Sequence, residues 1–324
     1  MKELIENFPN QLKESIAIAS DVKLTFKSGI ENIVICGLGG SGIGGEIIKQ
    51  WTRSICKLPV EVSHSYEIPA FVNENSLVVT CSYSGNTEET LDALAQSLKT
   101  GAEIIGVTSG GKMETILSEN NKQVIKVPGG LPPRAALAYP LVQLVEIFEQ
   151  GEFLSQSIRK DLETSIDLII ENQQDAQIIA KDIIEKSENR KLLFYGEDKL
   201  GPVVLRACQQ LNENGKVLAF SNLIPEMNHN EIVGWADDSD ELYIVFLRSA
   251  LENPRNTLRL DITESVVSKK AKTHTVKGKG ANLVQQTLYL IHVLDWVSLY
   301  KAEQKGIDPV EVNIIDYLKS ELAK

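Results

Sequence analysis

Ser76-Leu77-Val78-Val79-Thr80-Cys81-Ser82-Tyr83-Ser84-Gly85-Asn86-Thr87-Glu88-Glu89-Thr90 holds a strand, a turn and the start of a helix, in that order. Leu77, Val78 and Val79 form a short apolar run rich in β-branching, which suits a strand buried on both faces. The turn after it is crowded with hydroxyls, a glycine and an asparagine, and 88–98 then reads as a helix. Hydroxyls of Ser82, Ser84 and Thr87 and the free N–H groups of the helix's first turn would converge on one point, where the helix dipole also favours negative charge. A plain helix cap at Ser84 or Asn86 would leave the same trace. Alone, the stretch establishes strand, turn and helix and leaves the anion open.

The rest of the chain repeats that alternation. Residues 2–28 read as helical. Strand-like runs at 32–36, 60–63, 77–81, 103–107 and 123–127 then alternate with helical patterns at 44–52, 88–98 and 112–118, and a long apolar helix over 135–150 follows. Strand and helix in alternation imply a mostly parallel sheet covered on both faces. After two polar helical patterns at 158–171 and 176–187, a second series of strands at 191–195, 216–220, 241–246 and 273–276 closes with an apolar helix over 283–300. Ile33-Val34-Ile35-Cys36-Gly37 matches Leu192-Leu193-Phe194-Tyr195-Gly196, each glycine preceding a helix. We therefore expect an internal duplication of one doubly wound α/β unit, with an N-terminal domain of 1–153 and a C-terminal domain of 154–324. The copies differ in chemistry. Where the first has Ser82 to Thr87, the second has Leu247-Arg248-Ser249-Ala250-Leu251-Glu252, so only the first keeps a hydroxyl-rich cradle.

Composition bounds the function. A chain of 324 residues is long enough for two domains of roughly 100–200 residues each. With 43% hydrophobic and 24% charged residues it has the makeup of a globular protein. No apolar run reaches the roughly 18 residues that span a bilayer, and Met1-Lys2-Glu3-Leu4-Ile5-Glu6 lacks a signal-peptide pattern, so a cytoplasmic, non-membrane protein is expected. The net charge of −11 argues against nucleic acid as a partner. The four cysteines, Cys36, Cys56, Cys81 and Cys208, have no zinc-type spacing and are expected as reduced thiols.

Gly37-Leu38-Gly39-Gly40-Ser41-Gly42 satisfies the dinucleotide fingerprint G-x-G-x-x-G after a strand. That fold also wants an acid at the end of the second strand. Here the strand ends Glu61-Val62-Ser63-His64, which puts the acid inside it, so no nicotinamide or flavin cofactor is expected. The loop's glycines still allow close backbone approach to a ligand. In an open α/β sheet the loops after Cys36 and Cys81 would face one crevice, an arrangement better suited to a sugar phosphate than to a nucleotide.

Gly39-Gly40-Ser41, Ser82-Tyr83-Ser84-Gly85-Asn86-Thr87, Pro132-Pro133-Arg134, Asn212-Glu213-Asn214-Gly215-Lys216 and Pro225-Glu226-Met227-Asn228-His229-Asn230-Glu231, in that order, resemble the bifunctional phosphoglucose/phosphomannose isomerases. These belong to the sugar isomerase (SIS) superfamily. The resemblance implies two tandem SIS domains and an aldose–ketose isomerase acting on glucose 6-phosphate, fructose 6-phosphate and mannose 6-phosphate, in glycolysis and gluconeogenesis and without a metal or cofactor. It implies phosphate binding by Ser82, Ser84 and Thr87, with Gly40 and Ser41 lining the sugar. It implies Glu213 as the proton-transfer base, Arg134 beside the reacting carbons, and His229 and Lys319 as ring-opening residues. It further implies a homodimer whose sites take the histidine from the neighbouring subunit. The family's acceptance of mannose is linked to a threonine ahead of the C-terminal lysine, and 308–319 contains none. The resemblance thus implies the phosphoglucose activity more firmly than the phosphomannose one.

The chemistry is coherent on its own terms. Isomerisation through an enediol needs one carboxylate to remove a proton and return it to the adjacent carbon, and Glu213 supplies one. A fixed cation such as Arg134 would stabilise the developing negative charge. An imidazole such as that of His229 can exchange protons with ring and hydroxyl oxygens near neutral pH. His292, inside an apolar helix, reads as a core residue, and His64 ends a strand near the crevice, where a secondary role is open. Two other readings remain: a phosphosugar-sensing module with the same cradle and no turnover, and an amidotransferase-type pair, which would require a glutamine-hydrolysing domain.

Overall fold

A computed structural model describes every residue except Ala323, and the chain divides into two compact units, Asn7–Asp167 and a second made of Met1–Glu6 with Leu168–Lys324. Met1–Glu6 carries the short helix α1 (Lys2–Glu6). The first unit runs α2 (Phe8–Asp21), β1 (Asn32–Cys36), α3 (Gly39–Thr52), β2 (Val60–Ser63), β3 (Ser76–Cys81), α4 (Glu88–Ser97), β4 (Glu103–Thr108), α5 (Gly111–Glu119) and β5 (Gln123–Lys126). A 3-10 turn at Pro133–Ala135 and helix α6 (Ala138–Gln150) follow, and the division between units falls within α7 (Arg159–Glu171).

The first unit's strands are all parallel, in the order β2-β1-β3-β4-β5. The chain winds outward from β1 to β2, then returns past β1 to β3, and this reversal opens a crevice at the carboxyl ends of β1 and β3. Cys36 pairs with Thr80, so the loops beginning at Gly37 and Ser82 leave the sheet side by side. Every residue of β3 is buried, in keeping with a central strand covered on both faces. Val34, Val78 and Ile104 pack with Leu94, Met113 and Leu117 into one face of the core.

The second unit repeats the winding with one strand fewer. It runs α8 (Gln173–Ser187), β6 (Lys191–Glu197), α9 (Gly201–Glu213), β7 (Phe220–Ile224), β8 (Leu242–Arg248), α10 (Pro254–Val267), β9 (Lys272–Lys277), α11 (Leu283–Lys305) and α12 (Asn313–Leu322). Its parallel strands lie in the order β7-β6-β8-β9, matching β2-β1-β3-β4 of the first unit. The fold is therefore two tandem doubly wound α/β units, as the internal repeat implied.

Two expectations are corrected. The single helix over 2–28 is two helices ending at Asp21, because Leu24 and Thr25 give their backbone N–H groups to the side chains of Gln150 and Gln123, each at 2.9 Å or less, and not to a helix. The strand read at 216–220 lies instead at Phe220–Ile224, because Lys216 takes a left-handed φ of 49° and turns the chain there. Two helices lie outside the helical patterns given bounds from the sequence: α10, whose buried stripe includes the polar Thr263, and α12, which buries none of its residues.

Candidate functional site

Three loops of the first unit are lashed together at the carboxyl end of its sheet. Ser41, in the first turn of α3, accepts the backbone N–H of Tyr83 on its Oγ at 3.1 Å. The Tyr83 hydroxyl accepts the N–H of Leu131 at 3.3 Å, and the Tyr83 carbonyl accepts the Ser109 hydroxyl at 2.6 Å. Tyr83 is thus the bolt between the glycine loop, the hydroxyl turn and the approach to Arg134. Ser41, which the family pattern suggests as a sugar contact, is itself 5% exposed and serves this lashing.

Within the turn, the Ser82 and Thr87 hydroxyls lie 2.9 Å apart, and the Thr87 N–H reaches Ser82 Oγ at 3.4 Å. Ser84 is exposed, with its Oγ accepting the N–H of Asn86, and Asn86 in turn accepts the N–H of Lys112 at 3.1 Å. Thr87 stands in extended conformation just ahead of α4, so the first N–H groups of that helix point out of the turn beside these hydroxyls. Donors and dipole converge as an anion requires.

Arg134 joins the same rim. A Cβ on Gly40 would lie 2.6 Å from the Pro133 carbonyl oxygen and 3.4 Å from Arg134 Cα, so the two segments meet only because residue 40 is glycine. Arg134 sits in the 3-10 turn ahead of α6 and is 5% exposed. The first unit therefore gathers Gly40, Ser41, Ser82, Ser84, Thr87 and Arg134.

His64 braces the glycine loop from below. Its Nδ1 lies 2.8 Å from the Gly37 carbonyl and its Nε2 2.9 Å from Glu46, whose hydrogen bond raises the imidazole pKa against the opposing effect of burial. The remaining candidates for chemistry here are inert. Burial pushes the Cys36 thiol up to about 12, and Cys81 is raised further still.

The second unit places Glu213 at the last position of α9. That helix is tied to α11 by Arg206 and Gln210, which both reach Asp295 at 2.8 Å, and by Asn214 Nδ2, which donates to Ser298 Oγ at 2.9 Å. Lys216 Nζ donates to the carbonyls of Glu213 at 2.8 Å and Asp308 at 3.0 Å, so the start of the C-terminal segment lies beside Glu213. Lys319 follows on α12 and is exposed. His292 is the core residue its setting implied: it accepts the Trp296 indole N–H at 3.2 Å, and burial lowers its pKa to about 4.

His229 is elsewhere. It ends the 3-10 turn Glu226–His229, which follows β7, and is exposed. α9 starts beyond the carboxyl end of β6, next to the carboxyl end of β7, and runs back along the sheet for about 18 Å before reaching Glu213. Glu213 and His229 thus lie at opposite ends of one unit, and a single copy of this unit does not bring them together. Tyr83, Lys216 and Glu231 lie inside motifs quoted from the sequence, where none of them was given a role of its own.

Among the described residues no group of three or more His, Cys, Asp or Glu is arranged to hold a metal, and no helix is long and apolar enough to cross a membrane. The SIS domain family matches residues 16–130, and the family described as bacterial phospho-glucose isomerase C-terminal SIS domain matches residues 172–322. The chain is 33% identical to the bifunctional phosphoglucose/phosphomannose isomerase of Caldicellulosiruptor bescii, over 100% of this chain and 99% of that relative. It is 34% identical to the D-glucosamine-6-phosphate 4-epimerase of Sulfolobus acidocaldarius, over 66% of this chain and 67% of that one. The solved C-terminal domain of glucosamine-fructose-6-phosphate aminotransferase from Francisella tularensis aligns with a TM-score of 0.77, covering 96% of this chain and 98% of that domain; at 18% identity the likeness is one of fold.

Proposed function

The chain belongs to the bifunctional phosphoglucose/phosphomannose isomerase family, and on that footing we propose that it interconverts glucose 6-phosphate and fructose 6-phosphate, and mannose 6-phosphate more slowly. The observation that carries the reading is the rim of the first unit, where the Ser82–Thr87 hydroxyls and the first turn of α4 stand beside the glycine loop that the Arg134 backbone approaches. Ser82, Ser84 and Thr87 hold the phosphate, and Gly40 and Ser41 line the sugar. Glu213 takes the proton from C2 of the open-chain aldose and returns it to C1, and Arg134 stabilises the enediolate between the two steps. His229 and Lys319 open the ring by moving protons between ring oxygen and hydroxyl.

The separation of Glu213 from His229 within one unit supports a homodimer in which each site draws Glu213 from one copy and His229 from the other. We assign the enzyme to the cytoplasm, in glycolysis and gluconeogenesis; its four unpaired thiols suit a reducing compartment.

The test is to supply purified protein with fructose 6-phosphate and resolve the aldose phosphates formed. Glucose 6-phosphate is expected as the main product, with mannose 6-phosphate as a lesser one because 308–319 lacks a threonine. Fructose 6-phosphate that binds and is not converted would favour the sensing module, and turnover of glucosamine 6-phosphate alone would favour an epimerase.

A further inference from the structure

The stretch Met227-Asn228-His229-Asn230-Glu231 is anchored on both sides of its histidine. Met227 is fully buried, and Asn228 Nδ2 donates to Thr263 Oγ1 of α10 at 2.8 Å. Asn230 accepts the Glu231 N–H on Oδ1 at 2.6 Å and donates from Nδ2 to Glu226 at 2.9 Å, which closes the turn on itself. His229 is exposed, and its side chain alone in this stretch makes no hydrogen bond among the described residues.

The firmest of these anchors is Glu231. Tyr195 of β6 and Asn222 of β7 face each other in register. The Tyr195 hydroxyl donates to Glu231 Oε1, and Asn222 Nδ2 donates to Oε2 at 2.5 Å. Trp235 Nε1 donates to the Tyr195 hydroxyl at 3.0 Å, so a chain of hydrogen bonds runs from Trp235 through Tyr195 to the carboxylate. Tyr195 is fully buried and Trp235 nearly so, and both belong to the unit's hydrophobic core. Hydrogen bonds to an ionised carboxylate are roughly twice as strong as neutral ones. A carboxylate clamped by two donors from adjacent strands therefore fixes residue 231, two positions from His229, against the rigid end of the sheet.

We propose that Glu231 is a positioning residue that sets the place of His229 at the substrate by fastening the loop to Tyr195 and Asn222. The proposal deepens the isomerase reading and rests on the role that reading gives His229. An imidazole that exchanges protons with a sugar oxygen must stand within hydrogen-bond reach of it, and a loss of about 1 Å in placement can cost on the order of a hundredfold in rate. Glutamine in place of Glu231 can accept from one of the two donors and turns its own N–H groups toward the other.

The test is a double-mutant cycle on the full-length protein, reading kcat, KM for fructose 6-phosphate and thermal unfolding. Glu231→Gln is expected to lower kcat about tenfold and Glu231→Ala about a hundredfold, with KM held within about twofold. His229→Ala with Glu231→Gln is expected to match His229→Ala alone, because the carboxylate acts through the imidazole. Tyr195→Phe, which removes one donor and keeps the buried ring, serves if either Glu231 variant fails to fold, and the same non-additivity with His229→Ala is expected. Losses that multiply in the double variant would overturn the proposal while leaving the isomerase reading intact. An unchanged kcat in His229→Ala would overturn the role given to His229, and the proposal with it.

Discussion

Glu213→Gln is expected to lower kcat about a thousandfold in both directions while leaving affinity for fructose 6-phosphate unchanged. Glutamine keeps the shape of the side chain and cannot carry a proton from C2 to C1. The end of α9 is also held by other residues. Arg206 and Gln210 hold α9 to Asp295 of α11, Asn214 holds its end to Ser298, and Lys216 binds the Glu213 carbonyl. These contacts remain in the variant, which should therefore stay folded in a thermal unfolding scan. Steady-state kinetics with equilibrium binding of fructose 6-phosphate checks the split. A fall in binding as large as the fall in kcat would make Glu213 a structural residue and leave the chemistry without a base.

Gly85→Ala is expected to destabilise the protein by about 3 kcal/mol and to weaken phosphosugar binding at least tenfold. Gly85 has a φ of +67°, and a Cβ there would lie 1.7 Å from the Gly110 carbonyl oxygen. That oxygen is not free to retreat, since it accepts the Thr108 hydroxyl at 2.8 Å, and the Gly85 carbonyl itself accepts the Met113 N–H at 2.9 Å. Relief must come from the 82–87 turn, which moves the start of α4 away from the hydroxyls it works with. Ser82→Ala and Thr87→Ala probe the same cradle more gently. Each removes one hydroxyl of a pair 2.9 Å apart, at about 1 kcal/mol, and should raise KM with little change in kcat. Urea unfolding and KM together check the pair of effects. Gly85→Ala with wild-type stability and wild-type KM would show that the turn adapts without cost.

The parts of the fold legible in the sequence were those written in local pattern. β1 and β2 fall where their apolar runs place them, and the repeat of Ile33–Gly37 in Leu192–Gly196 carries the duplication of the winding. β7 was misread because Val217 and Ala219 mimic a strand while Lys216, four residues before its true start, has already turned the chain. α10 hides behind a stripe that includes Thr263, and α12 is a short amphipathic helix whose apolar residues stay exposed. The clustering of hydroxyls in the 82–87 turn was readable, since they are neighbours in sequence. The assembly of the rim was not. Ser41 and Tyr83 are 42 positions apart, and the approach of Gly40 to Pro133 depends on a close contact that no local pattern records. The grip of Tyr195 and Asn222 on Glu231 likewise joins residues that only the strand register brings side by side.

We propose that Glu213 and His229 work in one site although each copy of the second unit holds them at opposite ends. Co-expression of Glu213→Gln and His229→Ala chains tests it most directly. Each variant alone should be nearly inactive. A mixed dimer would contain one site with both groups intact, so random assortment in a two-fold dimer should restore about a quarter of wild-type fructose 6-phosphate turnover. Mixed dimers with no more activity than the two parents would contradict the shared site.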